Sequence, residues 1–532
     1  MSDIKKDSFK ADNAQTEEHV WQAELDEIKL RKLFAEEMGG VIGIQRQHDA
    51  GKLTARERIR LLLDKDSFRE IGAFTGTGEY DENGKLIKVT PSNMIMGKGK
   101  ICGRRVVVAA EDFTVKAGSS EAASPDKMVF AERLALDQKI PLIRLVDMVG
   151  GSIRLLEKNQ STKIPGYDKW ESNSGLVPIV GLALGPCAGL GAARVVASHF
   201  SVMVTNISQV FAAGPWVVGP GMHQNVTKEQ LGGSSVHTRG SGVVDNEAEN
   251  EEDAIRQAAR FLSYMPSNCY QAPPYIKPKD KPDRREDELA SIVPKNRRRI
   301  YDIRRILELV FDEDSLFEIG RYQGPSELTM LGRLNGYPVG ILANDSKIQG
   351  GLLTEGACEK MIRFIDMCDA FHLPIVNFLD QPGVDIGLQA EARGTIRKAI
   401  RLQIAISQAS VPWATFFIRR SFGVAGSIYE PRSRATIRRS WPSGYWGSIP
   451  IEGGVEAAYK REILSAPDPK AKRDELVEYY RGFENPFRTA ERFNIEEIID
   501  PRDTRPILCE WIEEAYEEIP LQLGLVTKTI RI

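Results

Sequence analysis

A nucleophile beside a base, or imidazoles and thiols at ligand spacing, would mark side-chain catalysis or a metal centre. This sequence offers neither. Its six cysteines, Cys102, Cys187, Cys269, Cys358, Cys368 and Cys509, stand far apart with no CxxC pair. Its six histidines are scattered, with no HExxH spacing. The pattern argues against zinc and against a disulfide scaffold, and for a reducing compartment. No metal site is expected. Among single residues, Cys187 is either a nucleophile or a buried structural thiol, and the absence of a nearby histidine favours the thiol. Asp147 and Asp380 are either bases or caps of the loops that follow them. Arg419 and Arg420 either bind a phosphate or carboxylate or lie in solvent.

One stretch suits chemistry without side chains. LGPCAGLGAA (184–193) has no acid, base or hydroxyl, yet it is rich in glycine and ends an apolar run. It reads as a strand entering a tight turn that opens a helix. The first N–H groups of a helix have no internal partners, and the helix dipole adds positive character there. Small residues let a carbonyl approach such a turn closely. The turn can then hold an oxyanion as it develops. Taken alone, glycine at a strand–helix turn is more often packing.

The elements around this turn occur twice. Gly99, Gly103, Val106, Ala110 and Asp112 pair without a gap with Gly332, Gly336, Val339, Ala343 and Asp345. Lys127 then pairs with Lys360, Pro141 with Pro374, Asp147 with Asp380 and Gly150 with Gly383. LLLDKDSFREIG (from Leu61) and LVFDEDSLFEIG (from Leu309) precede the two copies. After one residue of slippage, VPIVGLALGPCAGLGAA (from Val177) overlies VPWATFFIRRSFGVAGS (from Val411). Each copy reads as strand, turn, strand, helix, strand, then the small-residue turn. Ser421 takes the place of Cys187. Two such turns suit a reaction in which two carbonyls become anionic. The repeat predicts two α/β domains of one fold.

The bulk properties bound the rest. The chain has 532 residues and a net charge of −3, with 42% hydrophobic and 27% charged residues. That is a soluble, multidomain composition, with no broad attraction to nucleic acid or anionic membrane. Neither partner is expected. The uncharged run Gly175–Ala193 is long enough to suggest a membrane span, but Pro178, Pro186 and its glycines favour a buried strand and turn. The polar N-terminus carries no signal core, so a cytoplasmic location is expected. Residues 1–50 read as an amphipathic helical arm, 51–285 as the first domain and 286–532 as the second. Cys269–Pro294, rich in proline and charge, reads as the linker. Thr54-Ala55-Arg56-Glu57 is a capping box, and Ser124-Pro125 opens another helix.

Longer motifs carry a resemblance. GKLTARERIRLLLDKDSF (51–68), EDFTV (111–115), GPCAG (185–189) and LGGSSVHTRGSGV (231–243) are followed by FLSYMPSN (261–268), CDAFHLPIVNFLDQPG (368–383), EGGVEAAYKREI (452–463) and ERFNIEEIIDPRDTR (491–505). Together they resemble the carboxyltransferase (β) subunit of biotin-dependent acyl-CoA carboxylases of the propionyl-CoA and 3-methylcrotonyl-CoA type, from about Arg46 onward. The resemblance implies two crotonase-like ββα superhelical domains and a homo-hexameric core. The acyl-CoA would lie on the first domain of one subunit and biotin on the second domain of another. It implies backbone donors at Leu190 and Gly191 for the thioester oxyanion, and at Val424 and Ala425 for biotin. Gly189, Gly423, Gly426 and Ser427 would shape the two turns. The biotin itself would come from a biotin carboxylase or biotin carboxyl carrier partner, because this chain has no AMKM-type biotinyl-lysine motif and no evident ATP-binding region.

The chain also departs from the family pattern. Leu190 stands where a Gly-Gly pair is usual. Asp147-Met148-Val149-Gly150-Gly151-Ser152 replaces a DSGGA-like motif, and Gly426-Ser427-Ile428 matches neither common pattern of acyl-size control. A branched or longer acyl chain is the expectation. Two other readings share the fold: a decarboxylase subunit of the glutaconyl-CoA type, and a non-catalytic scaffold.

Overall fold

In a computed structural model, residues 20–160, 175–431 and 436–528 are described. The first half contains β1 (Arg69–Ile71), β2 (Gly76–Tyr80), β3 (Leu86–Pro91), β4 (Met94–Ile101), β5 (Arg104–Glu111), β6 (Leu142–Met148), β7 (Ile179–Ala188), β8 (Phe200–Val204), β9 (Gln209–Phe211) and β10 (Asn246–Ala248). The second contains β11 (Phe317–Glu318), β12 (Glu327–Leu334), β13 (Tyr337–Asn344), β14 (Ile375–Gln381), β15 (Trp413–Phe422), β16 (Ile437–Ser440), β17 (Tyr445–Gly447) and β18 (Glu497–Ile498). The first sheet runs β1-β4-β5-β6-β7-β8-β10, with β9 also on β7. The second runs β11-β12-β13-β14-β15-β16-β18, with β17 on β15. The two orders match strand for strand, so the written repeat is a repeated α/β fold. Only the β2–β3 hairpin lacks a counterpart among the described residues.

The matched elements form for matched reasons. Cys102 (φ 49°) and Gly103 (φ 80°) turn β4 into β5, as Asn335 (φ 47°) and Gly336 (φ 86°) turn β12 into β13. Two consecutive left-handed residues suit the right-handed twist of an antiparallel pair. From β5 onward, and from β13 onward, neighbouring strands are parallel. Every residue of β6, β7 and β14 is buried, as expected of strands covered on both faces. Gly175–Ala193 is therefore strand and turn. Among the described residues no helix is long and apolar enough to cross a membrane.

The halves share a core. Phe200 of β8 stacks on Phe261 at 4.8 Å and meets Phe317 of β11 at 5.5 Å. The stretch 269–294 is pinned rather than loose: the Ile276 N–H donates to Gly336 O at 3.1 Å, and Arg505 Nε to Lys281 O at 3.0 Å. The capping box at Thr54 and Glu57 is formed in both directions. At Ser124 the helix starts with Pro125 in its first turn, but the serine side chain makes no cap bond. Of the arm, residues 1–19 lie outside the described residues; the rest forms helices Gln22–Glu37 and Gly40–Asp49, each burying a single residue, Ala35 and Gln47. Their apolar side chains Leu25, Ile28, Leu33, Val41 and Ile42 are exposed. They dock through Gln47 on Asp147 and through Gly39, whose N–H donates to Thr114 Oγ1 at 2.9 Å. A Cβ there would lie 2.0 Å from Thr114 O, so only glycine permits the approach.

Candidate active site

β7 ends in the turn singled out in the sequence. Gly189 takes φ 57° and spends its N–H on Phe211 O at 3.1 Å. Helix Leu190–Val196 begins next, and no side chain caps it. Its first internal bond joins the Ala193 N–H to Gly189 O at 3.0 Å. The N–H groups of Leu190 and Gly191 thus have no partner within the helix. Gly189 is exposed, Leu190 half-buried and Gly191 buried. A Cβ on Gly191 would lie 2.7 Å from Met148 Cγ.

β15 ends in the matching turn. Gly423 takes φ 61° and opens the short helix Gly423–Gly426. Gly423 and Val424 are exposed, Ala425 is buried and Gly426 half-buried. This helix is a single turn. Ser427 Oγ donates to Val424 O at 2.9 Å, and Ser421 Oγ to Gly426 O at 2.9 Å. These side chains take carbonyls that a longer helix would need. Gly426 is packed so closely that a Cβ would lie 2.5 Å from Ser421 C. Each turn sits at the end of its own sheet's β7 or β15 strand, one per half.

Immediately before each turn the strand bulges around an aspartate. Val146 pairs with Ala183 and Met148 with Cys187, so Leu184, Gly185 and Pro186 lie opposite Asp147 alone. Leu379 pairs with Phe417 and Gln381 with Ser421, so Ile418, Arg419 and Arg420 lie opposite Asp380 alone. Both aspartates are fully buried. Asp147 accepts from Lys52 Nζ at 2.9 Å, Arg58 Nη1 at 3.0 Å and Gln47 Nε2 at 3.0 Å. Asp380 accepts from Arg419 Nε at 3.1 Å, Arg420 Nε at 2.6 Å and the Tyr301 hydroxyl at 3.0 Å. The sequence leaves the aspartates as bases or loop caps, and the arginines as ligands of a phosphate or carboxylate or as solvated side chains. Arg419 and Arg420 are instead the counter-ions of Asp380, while Lys52 and Arg58 are those of Asp147. Burial alone lowers the affinity of Arg58 for its proton, but Asp147 and Glu251 more than offset this and hold it above the ordinary value. Burial draws the Lys52 ammonium below its usual range despite Asp147.

A second polar cluster lies beneath each turn. In the first half, Arg194 reaches Glu111, and Arg144 grips Glu132 at 3.0 and 2.8 Å. Arg144 Nη1 also donates to Arg194 O and Ala197 O, the last carbonyls of the turn's helix. A cation there complements the helix dipole. In the second half, Glu327 accepts from the Tyr429 hydroxyl, Asn344 Nδ2 and Gln381 Nε2. Burial raises its carboxyl to about 8.

Cys187 is buried, and its contacts are the carbonyls of Val146 and Gly185 at 3.3 and 3.4 Å. Burial pushes its thiol well above the usual range, which opposes nucleophilic attack. The Arg58–Glu251 pair was not anticipated. Its signal was present, because Arg58 falls with Ala55, Ile59 and Leu62 on the buried stripe of helix Ala55–Leu62.

Residues 46–519 match the carboxyl transferase domain family. The chain is 36% identical over 485 residues to the propionyl-CoA carboxylase carboxyltransferase subunit of Haloferax mediterranei, covering 90% of this chain and 94% of that one. It is 34% identical to the methylmalonyl-CoA decarboxylase subunit alpha of Veillonella parvula, covering 91% and 93%. Among solved structures it superposes on transcarboxylase 12S, described as a hexamer with methylmalonyl-coenzyme A and methylmalonic acid bound. The TM-score is 0.84 at 28% identity, over 96% of this chain and 97% of that one.

Proposed function

The chain belongs to the carboxyl transferase family, and from that premise we propose that it is the carboxyltransferase subunit of a biotin-dependent acyl-CoA carboxylase. It moves a carboxyl group from carboxybiotin to the carbon α, or vinylogous γ, to an acyl-CoA thioester. The observation that carries this reading is the pair of matched turns, one at the end of β7 and one at the end of β15.

Residues 51–285 are the acyl-CoA side and 286–532 the biotin side. The N–H groups of Leu190 and Gly191 hold the thioester oxygen as it gains charge on enolisation. Gly189 supplies the left-handed entry that frees those donors, since its own N–H is spent on Phe211 O. The N–H groups of Val424 and Ala425 hold the ureido oxygen of biotin. The turn fits that group because Gly423 and Val424 are exposed at its mouth and the donors at Val424 and Ala425 are neutral. When bound, the carboxylated biotin of a partner subunit supplies both the carboxyl group and, after its departure, the base for the α-proton. The chain's own task is to orient the thioester, stabilise charge and exclude water. Exposed apolar side chains of both halves, including Ile153, Trp216, Val217, Ile386 and Leu388, suit a site closed by another copy of the chain in a hexameric core. The partner is a biotin carboxylase with its biotin carboxyl carrier.

The decarboxylase reading is favoured by one observation, the near-equal similarity to the Veillonella subunit. The same turns serve either direction. One experiment separates them. The purified chain is mixed with a biotinylated carrier and its carboxylase, and ATP-dependent fixation of ¹⁴C-bicarbonate is followed over a series of acyl-CoA thioesters. Label in an acyl-CoA supports the carboxylase. Label released from a carboxyacyl-CoA to biotin, with none fixed, supports the decarboxylase.

A further inference from the structure

We propose that Asp147 and Asp380 are positioning residues for the two turns, each holding the strand bulge that aims the donors beyond it. This rests on the carboxyltransferase reading and adds residues to it. The argument starts from the backbone. Before its bulge β7 pairs with β8, and after it with β9. β15 passes in the same way from β16 to β17. Three strand residues facing one leave ladder groups without partners, and buried backbone groups must find others. They find them through the aspartate and its cations. Arg58 Nη2 takes Leu184 O at 2.8 Å, and Asp380 Oδ1 accepts the Arg420 N–H at 3.1 Å.

Only two residues separate Pro186 from Gly189, and Arg420 from Gly423. A small rotation at the bulge therefore displaces the turn. The comparison of halves excludes a purely electrostatic role. Gly185 corresponds to Arg419 and Pro186 to Arg420, so one strand supplies its own cations while the other takes them from Lys52 and Arg58. In the first half a Cβ on Gly185 would lie 2.1 Å from Asp147 Oδ1, so the carboxylate occupies that space itself. The cations differ completely. The carboxylate and the bulge are what the halves have in common. A buried ion pair is weak support for stability, whereas a fixed bulge serves both turns.

The test uses the full chain and two reactions: decarboxylation of free carboxybiotin without acyl-CoA, and complete transfer to acyl-CoA. Asp380→Asn is expected to slow the first about 100-fold, the loss that follows an error of about 1 Å in positioning. Asp147→Asn is expected to lower kcat of the second by a similar factor, about 100-fold, with KM for acyl-CoA within about threefold. Asp380→Asn therefore slows both reactions, whereas Asp147→Asn leaves the first within about threefold of wild type. Lys52→Met and Tyr301→Phe remove single partners of the two aspartates. They keep the test open if the asparagine variants do not fold, and should give smaller losses with the same split. Folded variants at wild-type rates, or an Asp147→Asn that slows decarboxylation of free carboxybiotin as much as complete transfer, would overturn the proposal alone. A wild-type chain that moves no carboxyl group in either direction overturns the carboxyltransferase reading and this proposal together.

Discussion

Arg58 grips both oxygens of Glu251 at 2.7 Å while its third nitrogen meets Asp147 Oδ2 at 3.0 Å. One guanidinium thus ties the start of helix Glu251–Tyr264 to the end of β6. Arg58→Lys keeps the charge but loses the fork, so Glu251 loses its two-point grip and its tie to Asp147 inside the core. Breaking a buried pair in this way costs about 3–5 kcal/mol. The expected outcome is a clear fall in the urea midpoint, and an unchanged midpoint would refute the linkage.

Gly191→Pro removes a backbone donor and should lower kcat by about 10²–10³-fold. Gly191→Ala is the companion variant. It keeps the N–H and introduces a Cβ that Met148, a flexible side chain, can partly avoid. It should retain far more activity. Cys187→Ala should leave kcat within about threefold and cost about 1 kcal/mol of stability for the small cavity. An inactive but folded Cys187→Ala beside an active Gly191→Pro would reverse the assignment of roles.

Leu190 is half-buried at the mouth of the first turn. Its N–H serves whatever its side chain, so Leu190→Gly should preserve transfer while changing the ranking of acyl-CoA substrates. A shift of about 1–3 kcal/mol in relative kcat/KM between acyl chains is the scale for a change in an apolar pocket. Identical rankings for wild type and variant would place the leucine outside the acyl pocket.

Glu327 carries a pH dependence of stability. Its carboxyl rises from 4.5 in the unfolded chain to about 8 in the fold, because burial penalises its charge. Between these values the folded state holds a proton that the unfolded state does not, so stability falls as pH rises through that window. His199 acts oppositely, but only below its unfolded value of 6.5, since burial lowers it to about 3 in the fold. Thermal unfolding between pH 6.5 and 8 should therefore show a decline that Glu327→Gln removes. Parallel wild-type and variant profiles would contradict this.

The fold was legible wherever a local pattern decides it. The Cys102-Gly103 and Asn335-Gly336 turns, the Val-rich strands and the Thr54 capping box all form. The turn after β7 was legible because small residues end an apolar run, and duplication separated it from ordinary packing. The partners of Asp147 were not, because Gln47, Lys52 and Arg58 lie about 90–100 residues away along the chain. No spacing rule links a carboxylate to a cation that distant. The length of the second helix was not legible either, because the bonds of Ser421 and Ser427 to the carbonyls of Gly426 and Val424 follow from the fold.

The different neutralisation of the two bulges limits how the halves can be recombined. Grafting β15 into the first half would place two arginines beside Lys52 and Arg58, four cations around Asp147 and Glu251. The reverse graft would leave Asp380 with Tyr301 and no cation. A working chimera must exchange the strand together with the segment that enters its domain, 52–62 or 301–310, which carries Lys52 and Arg58 in one half and Tyr301 in the other. The unit of inheritance in this duplicated chain is therefore larger than the repeated motif that reveals it.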